Sequence, residues 1–264
     1  ISKILHNLNA IKSRLGNQTL LMPVLKANAY GHGMTKIGKV LNNQGVYCFA
    51  VAWLEDAIKL RKTLPKKEIL VLNGFQNNEV QTFIEHQFTA VLHHSKPVPS
   101  GLRVELKIDT GMTRMGIPWE QASRFLESET LKISGVFSHF ARADLDPSFS
   151  HLQLQRLLKV TAGLGKRQHI CNSAGLRFPK AHLDLVRIGL AIYGVAPCEG
   201  FDDLQPVLRW KSRLLSVRDV KVGKWIGYGS NCKTKRESRI AIVPVGYADG
   251  YPRILSNQSS MLVR

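Results

Sequence analysis

Short apolar, β-branched runs recur along the chain: LLMPVLKA (20–27), VYCFAVA (46–52), EILVLNG (68–74), FTAVLH (88–93), LRVELKID (102–109), ISGVFSH (133–139), HICNSAG (169–175) and LDLVRIG (183–189). Each is near strand length and reads as continuous rather than alternating, the pattern of parallel strands covered on both faces. Amphipathic stretches lie between several of them. In LEDAIKLRKTL, Leu54, Ala57, Ile58 and Leu60 share one helical face with charges opposite, and EQASRFLESE and SHLQLQRLLKVTAGL behave the same way. Eight strands alternating with helices predict an α/β fold, a (β/α)8 TIM-type barrel over residues 1–200. An open doubly wound sheet gives the same local signals and is the less favoured alternative.

After YGVAPCEG the texture changes. Residues 201–264 carry strand-like runs separated by Gly, Pro and charged turns, with no helical pattern, and predict the start of a β-rich C-terminal domain. No repeat at solenoid periods and no low-complexity tract interrupts either part.

Composition changes this picture little. Hydrophobic residues make up 44% and charged residues 21%, as in an ordinary globular protein. The charge is less ordinary, with 37 Lys and Arg against 19 Asp and Glu, a net +18. Such an excess attracts nucleic acid or anionic membrane. Here the basic residues are scattered, with only short runs such as RKTLPKK and KTKRESR and no nucleic-acid motif beside them. A solvated basic surface that draws anionic small molecules is the favoured reading, with neither nucleic acid nor membrane as partner.

Cys48, Cys171, Cys198 and Cys232 lie far apart with no C-x-x-C pair, which fits a reducing compartment and gives no metal site. No apolar run reaches membrane-spanning length and no signal peptide opens the sequence, so cytoplasm is the expected location. The sequence begins at Ile1 rather than Met, which leaves room for preceding residues or a removed leader.

In a parallel barrel the reactive groups gather at the carboxyl ends of the strands. Those positions hold Lys26 and Tyr30, then Lys107, Asp109 and Arg114, then His139, Asn172 with Ser173, and Arg187. A lysine held in an apolar pocket is a nucleophile able to form an imine. Arg, Tyr, Ser and backbone amides nearby suit a phosphate. The residues alone point to a Schiff-base cofactor or to a phosphorylated substrate.

VLKANAYGHG resembles the pyridoxal-phosphate lysine motif of alanine racemases. LKIDTGMTRMGI, FSHFARAD, NSAGLRFP, VRIGLAIYG, IGYGS and VGYADGYPR resemble later motifs of that family, in the same order and across nearly the whole chain. The resemblance implies a barrel followed by a β-domain, a head-to-tail homodimer with shared active sites, and pyridoxal 5'-phosphate as cofactor. It implies interconversion of L- and D-alanine, the latter for peptidoglycan. By the same resemblance Lys26 forms the internal aldimine and is one of two catalytic bases. Tyr30, Asn172, Ser173 and the backbone of Gly189 and Leu190 match the cofactor phosphate contacts, although Asn172 also reads as a turn former. His139 matches the histidine beside the pyridine ring, and Arg187 the arginine that meets its nitrogen.

Arg114 resembles the residue that orients the substrate carboxylate. Lys107 resembles a lysine often carbamylated in the family, an ion pair with Asp109 or another carboxylate being nearly as plausible. The second base is expected to be a tyrosine of the β-domain. The family pattern V-x-Y-G assigns that role to Tyr228, contributed by the other subunit, and leaves Tyr247 lining the substrate access passage. His32 receives no role.

Two departures stand out. The span between FTAVLHH and GLRVELKID is shorter than the family's and lacks most of a helix. The family's later Met-Asp segment and its last phosphate-binding tyrosine have no counterpart before Arg264, as an omitted portion or a real truncation would leave it. A non-enzymatic pyridoxal-phosphate barrel and a racemase of broader amino-acid specificity are the alternatives. Such carrier proteins lack the β-domain, which argues against the first.

Overall fold

The computed structural model describes residues 1–95, 97–127 and 131–263. Eight parallel strands ring a lumen: β1 (Leu20–Pro23), β2 (Cys48–Val51), β3 (Glu68–Val71), β4 (Thr89–Leu92), β5 (Val104–Asp109), β6 (Ile133–Phe137), β7 (Arg167–His169) and β8 (Leu185–Ile188). β2 to β7 pair in chain order. β8 pairs with β1, Leu20 lying opposite Leu185 and Pro23 opposite Ile188. A few links close the two remaining seams. Val24 bridges Ala50 just beyond β1, and the Asp184 and Arg187 amides donate to the Gln168 and Cys171 carbonyls at 3.2 and 3.0 Å. The expected barrel is present and closed.

Side chains alternate between lumen and exterior along each strand. Met22, Cys48, Ala50, Leu70 and Val91 fill the lumen, while Phe49, Val51, Ile69, Ala90 and Leu92 pack outward beneath the helices. Both faces are dry, which is why the sequence runs read as continuous. β5 breaks the pattern. Its outward residues Val104, Leu106 and Ile108 are apolar, but Glu105 and Lys107 alternate with them and are buried.

The outer layer holds α1 (Ser2–Lys12), α2 (Met34–Asn42), α3 (Leu54–Thr63), α4 (Val80–Glu85), α5 (Ser123–Leu126) and α6 (Pro147–Thr161). α3 buries Leu54, Ala57 and Leu60 as its spacing predicts, with Glu55 and Asp56 in the first turn and Arg61 and Lys62 in the last to complement the helix dipole. α6 starts where Asp146 accepts the Phe149 amide at 2.9 Å and Pro147 occupies the first turn.

Two expectations are corrected. The helix predicted over 120–129 is broken into a 3-10 turn at Trp119–Gln121 and the single turn of α5, with Ser128 and Glu129 outside the described residues. The strand predicted over 169–175 ends at His169, because Asn172 Oδ1 accepts the Gly175 amide at 2.9 Å and bends the chain into a 3-10 turn at Ala174–Arg177. Between β4 and β5 no helix occurs among the described residues, in keeping with the short span read from the sequence.

The chain divides into two compact units, Ile1–Leu208 and residues 209–264. Asn7 of α1, fully buried, gathers the end of the first unit: its amide donates to the Ile192 and Gln205 carbonyls and accepts the Gln205 N–H, at 3.0, 2.9 and 2.7 Å. The second unit contains an antiparallel pair, β9 (Ser216–Val220) with β10 (Ser238–Ile242), and a two-residue pairing of Trp225–Ile226 with Cys232–Lys233. It has no α-helix among the described residues, as its texture predicts. Arg264 lies outside the described residues. No described helix is long and apolar enough to cross a membrane.

Candidate active site

A cavity of about 630 Å³ opens at the carboxyl ends of the strands. Lys26, Tyr30, Lys107, Arg114, His139, Asn172, Ser173, Arg187, Gly189 and Leu190 all line it, and every lining residue belongs to the first unit. Among its lining side chains Lys26, Lys107, Arg114 and Arg187 are basic and Asp144 alone is acidic. Such a wall favours an anionic ligand.

Lys26 departs from expectation. β1 stops at Pro23, the chain leaves the barrel wall, and Lys26 stands exposed, not sunk in an apolar pocket. It opens a left-handed turn in which Ala27, Asn28, Ala29 and Tyr30 have φ of 51°, 55°, 57° and 53°. Left-handed helix costs L-residues about 1–2 kcal/mol each, so four in succession must be held in place by their surroundings. The Ala29, Gly31 and Gly33 amides donate to Leu25, Ala27 and Asn28 at 2.9–3.0 Å. Asn28 Oδ1 accepts the Met34 amide at 2.9 Å and starts α2.

The unassigned His32 also acts here. Its Nδ1 pairs with the Ala29 carbonyl at 3.1 Å, and its ring stacks at 4.8 Å on Tyr193, which packs at 5.0 Å against Tyr30. Tyr30 is thereby pressed onto β8. An ideal Cβ built on Gly189 would collide with its phenol, so only glycine leaves the space. Burial raises the Tyr30 pKa and keeps it a donor. Ser173, buried and lining the same cavity, accepts the Ala191 amide on Oγ at 3.3 Å.

Arg187 forms the floor. Its Nη1 donates to His169 Nδ1, and its Nη2 to the Ser138 carbonyl at 2.6 Å and His139 Nδ1 at 3.0 Å. An arginine has five N–H donors, so Nε–H and one Nη1–H are left without a protein acceptor among the described residues while the side chain lines the cavity. Burial lowers its pKa to about 10, against the raising influence of Glu105 and Cys171. It remains charged at neutral pH. Burial, followed by the Arg187, Lys107, Arg114 and Lys26 charges, holds His139 well below the ordinary histidine range, so that ring is neutral.

Lys107 is buried, and burial together with Arg114 and Arg187 lowers its pKa to about 8, partly opposed by Asp109. The ion pair with Asp109 is not formed. Asp109 Oδ1 instead accepts the Gly111, Met112 and Thr113 amides at 2.9–3.0 Å, and Lys107 has no ion-pair partner among the described residues. Tyr228 and Tyr247 are exposed on the second unit, each beginning a short 3-10 turn.

The sequence reading missed Glu105, His169 and Asp144. The first two had a signal, since V-E-L-K-I-D alternates with period two and His169 heads a strand-like run.

These motifs are not isolated likenesses. The family model described as alanine racemase, N-terminal domain, matches residues 1–197, and that described as alanine racemase, C-terminal domain, matches residues 207–264. The chain belongs to the alanine racemase family. It is 38% identical to an alanine racemase of Carboxydothermus hydrogenoformans over 288 aligned residues, covering 100% of this chain and 78% of that protein. To an alanine racemase of Haemophilus influenzae it is 38% identical over 268, covering 94% and 73%. The crystal structure of the E. faecalis alanine racemase superposes with a TM-score of 0.86 at 34% identity, over 96% of this chain and 75% of that one. The alanine racemase of Bartonella henselae, solved with covalently bound pyridoxal phosphate, superposes with 0.85 at 28% identity, over 96% and 76%.

Proposed function

We propose that this protein is an alanine racemase that holds pyridoxal phosphate in the cavity and interconverts L- and D-alanine. The carrying observation is the convergence of an exposed lysine, a basic wall and a buried arginine with two unused donors on one cavity. The residues suit that cofactor: Tyr30, Asn172, Ser173 and the Gly189 and Leu190 backbone for the phosphate, Lys26 for the aldehyde, and Arg187 with His139 for the ring. The Tyr30 phenol fills the space that Gly189 leaves, so its hydroxyl sits against the Gly189 backbone, which supports this fit. Bound there, pyridoxal phosphate supplies an electron sink that acidifies the α-C–H of an amino acid.

Arg187 donates a hydrogen bond to the ring nitrogen and keeps its own proton, which weakens that sink and favours return of the proton to the α-carbon over transamination. Arg114 orients the substrate carboxylate. Lys107, whose pKa of about 8 leaves a minor fraction of the amine neutral near pH 7, is disposed to capture carbon dioxide as a carbamate, which would place a negative charge near Arg114 and Arg187. Two bases on opposite faces of the α-carbon are needed to remove and return its proton. The Lys26 amine is one. The Tyr228 phenol of a second copy is the other, with Tyr247 along the access passage, and the exposure of both tyrosines is compatible with that arrangement. The enzyme is thus read as a homodimer with shared sites, cytoplasmic, supplying D-alanine for the cell wall.

The test is formation of D-alanine from L-alanine by cofactor-loaded protein, followed by circular dichroism or a coupled D-alanine assay. Lys26→Ala is expected to abolish both the turnover and the absorbance of covalently held cofactor. Loaded protein that never racemises alanine would refute the assignment.

A further inference from the structure

Behind Arg187 lies a buried chain of groups that the reaction described above does not use. Glu105 and His169 are both fully buried. His169 Nε2 lies 3.0 Å from Glu105 Oε2, and its Nδ1 faces Arg187 Nη1. Phe137 lies parallel to the imidazole at 4.9 Å and packs beneath the Arg187 guanidinium at 4.7 Å. Glu105 Oε1 takes Arg167 at 2.6 Å, and Arg167 is held in turn by Glu68. Gly135 makes room, since an ideal Cβ there would stand 2.8 Å from Glu105 Oε1.

We propose that Glu105, acting through His169, is a positioning residue that fixes the orientation and donor strength of Arg187 beneath the cofactor ring. The inference rests on the reading that Arg187 meets the ring nitrogen of pyridoxal phosphate.

The logic is one of donors and acceptors. An ionised carboxylate only accepts, so it takes the His169 Nε2–H and leaves Nδ1 as a lone pair. Arginine only donates, and that lone pair is what its Nη1–H requires. A doubly protonated His169, or the opposite tautomer, would set N–H against N–H and drive the guanidinium off the floor. Arg167 keeps Glu105 in the accepting form. Burial pushes the Glu105 pKa up, but the His169 ring hydrogen bond and the Arg167 charge outweigh it and hold the carboxyl below the usual carboxylate range. Burial depresses the His169 pKa, and the flanking Arg187 and Arg167 charges add to this against Glu105, so the ring stays neutral. The Glu105 charge also makes Arg187 less willing to give up a proton, which keeps the ring nitrogen hydrogen-bonded but unprotonated.

The experiment compares cofactor-loaded wild-type protein with Glu105→Gln. The glutamine offers an amide N–H where Arg167 or His169 needs an acceptor. The expected results are a shifted absorption band of the bound cofactor, cofactor retention weaker by about tenfold, and more substrate-dependent conversion of cofactor to its amine form per turnover. A variant that is less heat-stable but loads with unchanged band, retention and side reaction would overturn the proposal. Wild-type protein that holds no cofactor would instead overturn the functional reading itself. If Glu105→Gln does not fold, 15N-histidine NMR of the wild-type holoenzyme decides. His169 should be neutral with its proton on Nε2 from about pH 6 to about pH 9, and the opposite tautomer or a titration in that range would refute the relay.

Discussion

The Tyr30 phenol lies against Gly189, in the space where a side chain at that position would begin. One residue follows β1 and the other follows β8, so their contact spans the line along which the barrel closes. We expect Gly189→Ala to push the phenol aside, lowering stability by about 1–3 kcal/mol and weakening cofactor binding by tenfold or more in an absorbance titration. Tyr30→Phe should keep the fold and lose only the phosphate hydrogen bond, a loss of roughly 1.5–3 kcal/mol in binding. Equal cofactor affinity in all three proteins would remove Tyr30 from the phosphate site.

Tyr228→Phe tests the two-base reading without a stability confound, because the side chain is exposed. Loss of a base on one face should slow L-to-D and D-to-L turnover unequally, as measured from each enantiomer. Unchanged rates in both directions would move the second base elsewhere, with Tyr247 the next candidate.

Lys107 predicts a pH dependence of stability. Its folded-state pKa is about 8 against an ordinary 10.5. Between those values the unfolded chain binds more protons than the folded one, so resistance to unfolding should rise with pH across that window. Below about pH 8 the buried cation exerts its full destabilising effect, no more than about 3 kcal/mol. In buffer free of carbon dioxide, Lys107→Met should therefore be more stable than wild type at pH 7 and lose that advantage near pH 10. Parallel urea midpoints for the two proteins at both pH values would expose a different origin.

Asn7→Ala should unfold earlier in urea by about 2–4 kcal/mol, since it strands buried carbonyls of Ile192 and Gln205 and the Gln205 amide. Asn7→Asp can still accept the Gln205 N–H but not donate, so it should not rescue the variant.

The strands were legible in the sequence because burial on both faces writes unbroken apolar runs. LRVELKID is the exception: its alternating glutamate and lysine mark a polar sector of the lumen that the reading as a continuous run passed over. The HICNSAG run misled because Asn172 diverts the backbone through a side-chain contact that periodicity does not encode. Lys26 was placed correctly on the cavity, but its exposure was not foreseen, since nothing in KANAYGHG announces four left-handed residues of which only the neighbours are glycine. The Arg187 floor was legible one residue at a time, whereas its link to Glu105 joins positions 105, 169 and 187 and exists only once β5, β7 and β8 stand side by side.

The pairing of β1 with β8 has a consequence for the order of folding events. Lys26 and Tyr30 follow the first strand, Arg187 lies on the last and Gly189 follows it, and the residues paired across that seam are as far apart as Leu20 and Leu185. Such contacts form late, because a long loop must be closed before they return any stabilisation. An intermediate with six strands already zipped has a core but no complete phosphate pocket. Cofactor capture during refolding should therefore lag behind the recovery of secondary structure. Once captured, the ligand would act as a rivet, slowing the reopening of the seam between the first and last strands.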